Sequence, residues 1–331
     1  MMFPRFHDYL TSIRPSLEQA FSRELRALLK GISLKEPVSL METLRAGKMI
    51  RGSLSCMISH ALGGTLDSVL PRAVAVELIQ SATLLHDDFV DQDSFRRHRP
   101  ATWTLEGARR AVLIGDVMFA SAIKMMSDLS REDGAAVSHA IAQVSRGALH
   151  EPVEPSMLIR EIESERFKAD GYPEIIRLKT GILFGTACSL GTIAAEGSAE
   201  LKEASYGYGV RVGEAYQIAD DLLDVNRCLL NRSIRIEEMV SLAPMFLHFV
   251  PETCPYLLEA LKSRRLELTE AGLKYFREAG ARMEREIERR LELASSEIDQ
   301  HFTDNAYVEL MRKAPRDLVN MLNESEKPMG R

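Results

Sequence analysis

Apolar residues recur along this chain at helical spacing, while the strict alternation that marks a half-buried strand is rare. From Ala73 to Val90 they are dense enough to predict a largely buried helix, which Pro71 is expected to open. No proline interrupts Ala101 to Glu151 or Glu174 to Ala243, and long unbroken helices follow from that. Pro100, Pro152, Pro155, Pro173, Pro251 and Pro255 fall at predicted joints. The segment Ser263 to Gln300 is amphipathic and laced with charge. Its predicted buried positions are Leu266, Leu268, Leu273, Phe276, Ile287 and Leu291, and its charges read as a solvated face. Asn-Gly is absent, neither Asp133-Gly134 nor Asp170-Gly171 joins two alternating stretches as a hairpin would, and there is no low-complexity tract or linker. The pattern predicts an all-α chain folded as a single domain over residues 1–331.

Composition narrows the class. The 331 residues are 45% apolar and 27% charged, ample for a core. A net charge of −6 argues against a general nucleic-acid binder, which would be basic. The longest candidate apolar run, Ala111 to Ile123, is too short to cross a membrane and carries Asp116, so no transmembrane segment is expected. Met1 to Arg14 lacks the apolar core of a signal peptide. The cysteines, Cys56, Cys188, Cys228 and Cys254, are scattered, which points to reduced thiols in a cytoplasmic protein.

One pattern occurs twice. Asp87-Asp88-Phe89-Val90-Asp91 and Asp220-Asp221-Leu222-Leu223-Asp224 both read D-D-x-x-D, in apolar surroundings, roughly 130 residues apart. On a helix the first and last acids of each cluster share a face. Three acids on one turn repel, so helix stability does not select them. Oxygen-only ligands suit a hard divalent cation such as Mg²⁺, which completes its shell with water and phosphate oxygens. The competing reading of the first cluster is an acidic helix end neutralised on the surface by Arg96, Arg97 and Arg99. That reading explains neither the flanking apolar residues nor the second copy. Upstream, Lys48 and Arg51 are three apart and, on a helix, would point together at an anion. Gln217 lies one turn before Asp220 and Asp221, which would put its amide beside the acids.

Taken in order, Gly47-Lys48-Met49-Ile50-Arg51, the first aspartate cluster with Arg96-Arg97, Gly115-Asp116, Lys179-Thr180 and Tyr216 to Asp224 resemble the trans-isoprenyl diphosphate synthases. The resemblance runs from roughly Gly47 to Val225. It implies a large helical bundle of the isoprenoid synthase type, with a central cavity between the helices that bear the two aspartate motifs. It also implies a prenyltransferase that condenses an allylic prenyl diphosphate with isopentenyl diphosphate, with three Mg²⁺ ions per site. Asp87, Asp88, Asp91, Asp220, Asp221 and Asp224 would hold the metal on the allylic diphosphate, which Arg96 would also contact. Lys48, Arg51, Arg97 and Gln80 would bind isopentenyl diphosphate. Lys179, Thr180 and Gln217 would line the allylic site and favour ionisation. Ala82 and Thr83, one turn before Asp87, would floor the tunnel for the growing chain; being small, they point to medium- to long-chain products. A homodimer is implied. Lipidic products would allow transient contact with a membrane surface.

The chain departs from the family pattern in four places. Gln80 stands where a His is frequent, Gly52 where a proline is usual, and Glu151, followed by Pro152, where a Gln is common. After Asp224 the expected polar loop with Gly-Lys is not recognisable, and the next lysine is Lys262; Arg227, Arg232 or Arg235 would have to substitute. Two alternatives therefore stand beside the synthase. One is a terpene cyclase-like enzyme or a prenyltransferase with another acceptor. The other is a weakly active subunit of a heteromeric synthase.

Overall fold

The structure is a computed structural model that describes residues 3–152, 154–164, 171–264 and 267–325. The described chain is almost wholly helical, and it divides into two compact units. The first comprises Met1–Ala142, Leu183–Gly209 and Glu297–Ala314; the second comprises Gln143–Ile182, Val210–Ser296 and Pro315–Arg331.

The first unit is organised on helix α4 (Leu66–Val90), against which α1 (Phe6–Leu28), α3 (Ile50–Ala61) and α6 (Ala108–Leu129) pack. Helix α2 (Pro37–Arg45) lies between α1 and α3 in the chain. Helix α4 starts earlier than Pro71 led us to expect. Thr65 is its N-cap, its hydroxyl accepting from Ser68 N at 3.3 Å, and Asp67 in the first turn complements the helix dipole. Pro71 thus sits within the helix. From Ala73 to Ile79 every side chain is buried, as the dense apolar pattern predicts; beyond that the buried positions narrow to a stripe, Ala82, Leu85 and Asp88. By length and mean hydropathy α4 is also the one described helix that could cross a membrane, although Arg72 and Glu77 interrupt its apolar run. Here it is enclosed by its neighbours and ends in carboxylates.

Short strands β1 (Phe95–Arg96) and β2 (Arg99–Pro100) follow, paired antiparallel with Arg96 opposite Arg99. The two residues between them, Arg97 and His98, both adopt left-handed backbone, at φ 51° and 61°. That is the backbone of a two-residue hairpin turn normally made by Asn-Gly. Helices α5 (Thr102–Glu106), α6, α7 (Arg131–His150), α10 (Ile182–Ala194) and α11 (Ala199–Asn231) then follow in the chain, with two short helices between α7 and α10.

The second unit contains α8 (Pro155–Glu163) and α9 (Gly171–Ile176). The latter runs through a π-helical turn (Arg177–Gly181) into α10. It also holds the second part of α11, then α12 (Ile236–Phe249), α13 (Cys254–Ser263) and most of α14 (Glu270–His301); α15 (Ala306–Ser325) ends in it. Its core gathers side chains from α8, α9 and α11 to α15, with the Phe246 and Phe276 rings 4.3 Å apart. Leu268, Leu273, Phe276, Ile287 and Leu291 are buried as their spacing predicts, whereas Leu266 lies outside the described residues. The amphipathic stretch is not one helix: α13 stops at Ser263, Arg264 is left-handed, and α14 begins at Glu270. The four cysteines are unpaired, with Cys56, Cys188 and Cys228 buried.

Candidate functional site

In the first unit, α4 delivers Asp87 and Asp88 in its last turn, and Asp91 is its C-cap residue. Asp88 continues the buried stripe of Ala82 and Leu85 and is 2% exposed. The β1–β2 hairpin returns Arg96 to it, and the guanidinium Nε donates to Asp88 Oδ1. Burial pushes the Asp88 carboxyl up; Arg96 opposes this, while Asp93 and Asp91 add to it. Arg96 neutralises Asp88 as the helix-end reading expects, but this acid is buried rather than on the surface.

His86, beside the motif, lies against α6. Its Nε2 is 3.1 Å from Val112 O and 3.5 Å from Asp116 Oδ1. Gly115 makes this approach feasible, because a Cβ there would stand 2.3 Å from His86 Nε2.

Lys48 and Arg51 do not share a helix turn. Helix α3 starts at Ile50, Lys48 is in the preceding loop, and Met49 between them is left-handed at φ 54°. Arg51 lies in the first turn of α3 with its guanidinium carbon 4.4 Å from the Phe184 ring centroid, a cation–π contact. Gly52, which replaces the expected proline, does not loosen the segment. Its N–H, which proline lacks, donates to Glu77 Oε1 at 2.7 Å and ties α3 to α4. Glu77 is a buried carboxylate that sequence reasoning missed, although a lone acid in the apolar run of α4 was a visible signal. Burial pushes its carboxyl up, and the Gly52 N–H, Arg51 and Arg97 oppose this. Glu77 thus stands among the cations assigned to the second diphosphate. Gln80 is half-buried one turn further along α4, where its carbonyl accepts from the Thr83 hydroxyl at 2.9 Å. Ala82 is fully buried.

In the second unit a hydrogen-bond chain crosses three elements. Thr180 Oγ1 donates to Gln217 Oε1 at 2.7 Å, and Gln217 Nε2 donates to Asp221 Oδ1 at 3.0 Å. The Tyr172 hydroxyl donates to Asp221 Oδ2 at 2.6 Å. The expected place of Gln217 beside the acids is therefore found; Tyr172 was missed, and no local pattern marks it. Burial pushes Asp221 up to about 7 against the two donors, with Asp220 and Asp224 adding to the rise. Lys179 and Thr180 sit in the π-helical turn, a distortion frequent at functional sites. Lys179 Nζ lies 2.5 Å from Glu151 Oε2.

Among the described residues no polar lid follows the second motif. Helix α11 runs on past Asp224 to Asn231, and α12 begins at Ile236 after a short turn in which Arg232 is left-handed. Of the substitute cations, Arg227 pairs with Asp224 at 2.9 Å, whereas Arg232 and Arg235 pair with Glu270 and Glu238.

The donor chemistry fits a hard cation. Both motifs offer carboxylate oxygens, and among the described residues no three His, Cys, Asp or Glu side chains form a ready-made cage. Mg²⁺ held by one or two carboxylates, with water and substrate phosphate completing its shell, needs no such cage.

Comparison with known proteins bears on the family and the fold. Residues 35–228 match the polyprenyl synthetase family model. A geranylgeranyl diphosphate synthase of Methanosarcina mazei is 33% identical over 180 residues, covering 54% of this chain and 55% of that protein. A short chain isoprenyl diphosphate synthase of Methanocaldococcus jannaschii is 34% identical over 179 residues, 54% of each. The chain thus spans about half the length of the curated relatives it matches. Among solved structures, a decaprenyl diphosphate synthase from Rhodobacter capsulatus superposes with TM-score 0.73 at 22% identity, covering 98% of this chain and 100% of that one. A polyprenyl synthase from Caulobacter crescentus, complexed with calcium and isoprenyl diphosphate, gives 0.70 at 23% identity, covering 94% and 97%. These structures share the all-helical fold, and with the family match over more than half its length the chain belongs to the polyprenyl synthetase family.

Proposed function

We propose that the protein is a prenyltransferase that joins an allylic prenyl diphosphate to isopentenyl diphosphate and releases a medium- to long-chain all-trans polyprenyl diphosphate. The observation that carries this reading is the chain Thr180–Gln217–Asp221–Tyr172, which starts at the residue after Lys179. It ties the central acid of the second motif to the helical turn that also carries the cation assigned to the allylic diphosphate. In the first unit, Arg96 plays the corresponding part for Asp88.

Mg²⁺, when bound at the two aspartate motifs, would supply charge neutralisation for the departing pyrophosphate. The chain's own groups do the rest. Arg96 and Lys179 bind phosphate oxygens and stabilise the negative charge that grows there as the allylic C–O bond breaks. Thr180 and Gln217 orient the neighbouring donors. Lys48, Arg51, Gln80 and Arg97 hold the diphosphate of isopentenyl diphosphate, whose double bond attacks the allylic carbon. A carbon–carbon bond forms, and a proton leaves to the pyrophosphate. Apolar side chains such as the buried Leu85 exclude the water that would quench the cation. Ala82 and Thr83 leave room for a long tail. Within the same reading the enzyme works as a homodimer, and α6 exposes Leu113 and Val117 one turn apart as an apolar face for the second copy.

The test is incubation of purified protein with Mg²⁺, an allylic diphosphate and labelled isopentenyl diphosphate, with products resolved by chain length. Extended prenyl diphosphates support the reading. Hydrocarbon formed from the allylic substrate alone identifies a cyclase, and turnover that requires another chain identifies a subunit. Asp220→Ala is expected to abolish turnover while leaving the helical circular dichroism intact; retained activity would overturn the metal assignment.

A further inference from the structure

Glu151 belongs to neither aspartate motif, yet the fold builds it into the site. One turn before it, Gly147 of α7 lies directly on the π-helical turn. A Cβ on Gly147 would stand 2.8 Å from Leu178 Cβ and 2.9 Å from Lys179 N. That close approach sets Glu151, the residue after α7, beside Lys179, with Nζ and Oε2 at 2.5 Å. Neither side chain is freely solvated: Lys179 is 29% exposed and Glu151 32%.

We infer that Glu151 is a positioning residue that keeps Lys179 in a standing ion pair, which an arriving diphosphate must exchange for its own oxygens. This rests on the assignment of Lys179 to the allylic diphosphate. The ion pairs Asp88 with Arg96 in the first unit and Asp224 with Arg227 in the second release acids that have a metal ion to bind. Glu151 has no such destination within its motif. Once diphosphate takes the ammonium, the carboxylate loses its partner and faces a second anion, and both effects oppose binding. A neutral amide of the same shape would remove this ion pair from Lys179 and could itself donate to a phosphate oxygen. The chain therefore binds diphosphate more weakly at Lys179 than the amide variant would.

Isothermal titration of inorganic pyrophosphate in the presence of Mg²⁺ tests this on the wild type, Glu151→Gln, Lys179→Gln and the double variant. Glu151→Gln is expected to tighten binding about twofold to fivefold, the range for a partly exposed pair. The gain should shrink in the Lys179→Gln background, where only the direct repulsion between Glu151 and the diphosphate remains to be relieved. Glu151→Ala should change affinity in the same direction, since loss of charge rather than the new amide carries the effect. Weaker or unchanged binding by Glu151→Gln overturns the inference, as does an equal gain without Lys179. If Lys179→Gln binds pyrophosphate as the wild type does, the assignment of Lys179 itself fails, a result distinct from failure at Glu151.

Discussion

Asp221 is held in a state that costs the metal-free protein stability, and Asp221→Asn makes the cost measurable. Burial sets its carboxyl at about 7 against an ordinary 3.8, in spite of donors from Tyr172 and Gln217. An acid whose pKa is raised on folding favours the native state at low pH. That contribution is fully present below 3.8 and is lost as pH rises through about 7. At ~1.4 kcal/mol per pH unit the gap sets a ceiling of ~4 kcal/mol above pH 7. Water reaching the half-buried side chain reduces the expected figure to about 2–3 kcal/mol. Asparagine does not titrate, keeps the shape, and relieves repulsion with Asp220 and Asp224. In metal-free buffer, Asp221→Asn should therefore match the wild type near pH 4 and exceed it by about 2–3 kcal/mol at pH 8. Urea unfolding at unit pH steps, with the slope m unchanged, reads this directly. Addition of Mg²⁺ with pyrophosphate should stabilise the wild type and not the variant, and turnover should be lost. A gain that is the same at pH 5 and pH 8, or a variant less stable at pH 8, would refute the reasoning.

Gly115→Ala should force the His86 ring out of its site, since the new Cβ meets Nε2 at 2.3 Å; the expected cost is about 1–3 kcal/mol in urea unfolding and about tenfold in kcat, and an unchanged kcat would show that His86 does not help place Asp87. Glu77→Ala removes the acceptor of the Gly52 N–H and the negative charge beside Arg51 and Arg97, and should cost about 3 kcal/mol or more. Glu77→Gln, which keeps an acceptor for Gly52, should lose clearly less, and equal losses would count against the hydrogen-bonded role. Ala82→Phe should shorten the products seen by reversed-phase chromatography, and an unaltered length distribution would remove Ala82 from the tunnel floor.

The helices were legible because helical periodicity is a local property. The burial of Phe276, Ile287 and Leu291 follows from spacing alone. Element starts were less so: the Thr65 cap opens α4 before the dense apolar stretch begins, so Pro71 misled. The hairpin over Phe95 to Pro100 was hidden because Arg97-His98 carries none of the composition of a turn. Lys48 and Arg51 parted for a related reason, since nothing in Met49 announces a left-handed residue. At the site, a contact between residues one turn apart on an unbroken helix could be read from spacing. Gln217 is one turn from Asp221 and was placed correctly, whereas Tyr172 is 49 positions away and reaches Asp221 only through the fold. Replacement of proline by Gly52 was visible, but its effect depends on an acceptor 25 residues later.

The tip of the β1–β2 hairpin has a practical consequence for engineering. Arg97 and His98 hold a backbone conformation that costs a non-glycine residue roughly 1 kcal/mol or more, and Asn-Gly would relieve it. A stabilisation campaign that ranks positions by backbone strain would therefore replace Arg97 among its first choices. The resulting protein would melt later and would have surrendered a guanidinium proposed to hold the acceptor substrate. Thermal screens of this chain should accordingly keep residues 97 and 98 fixed.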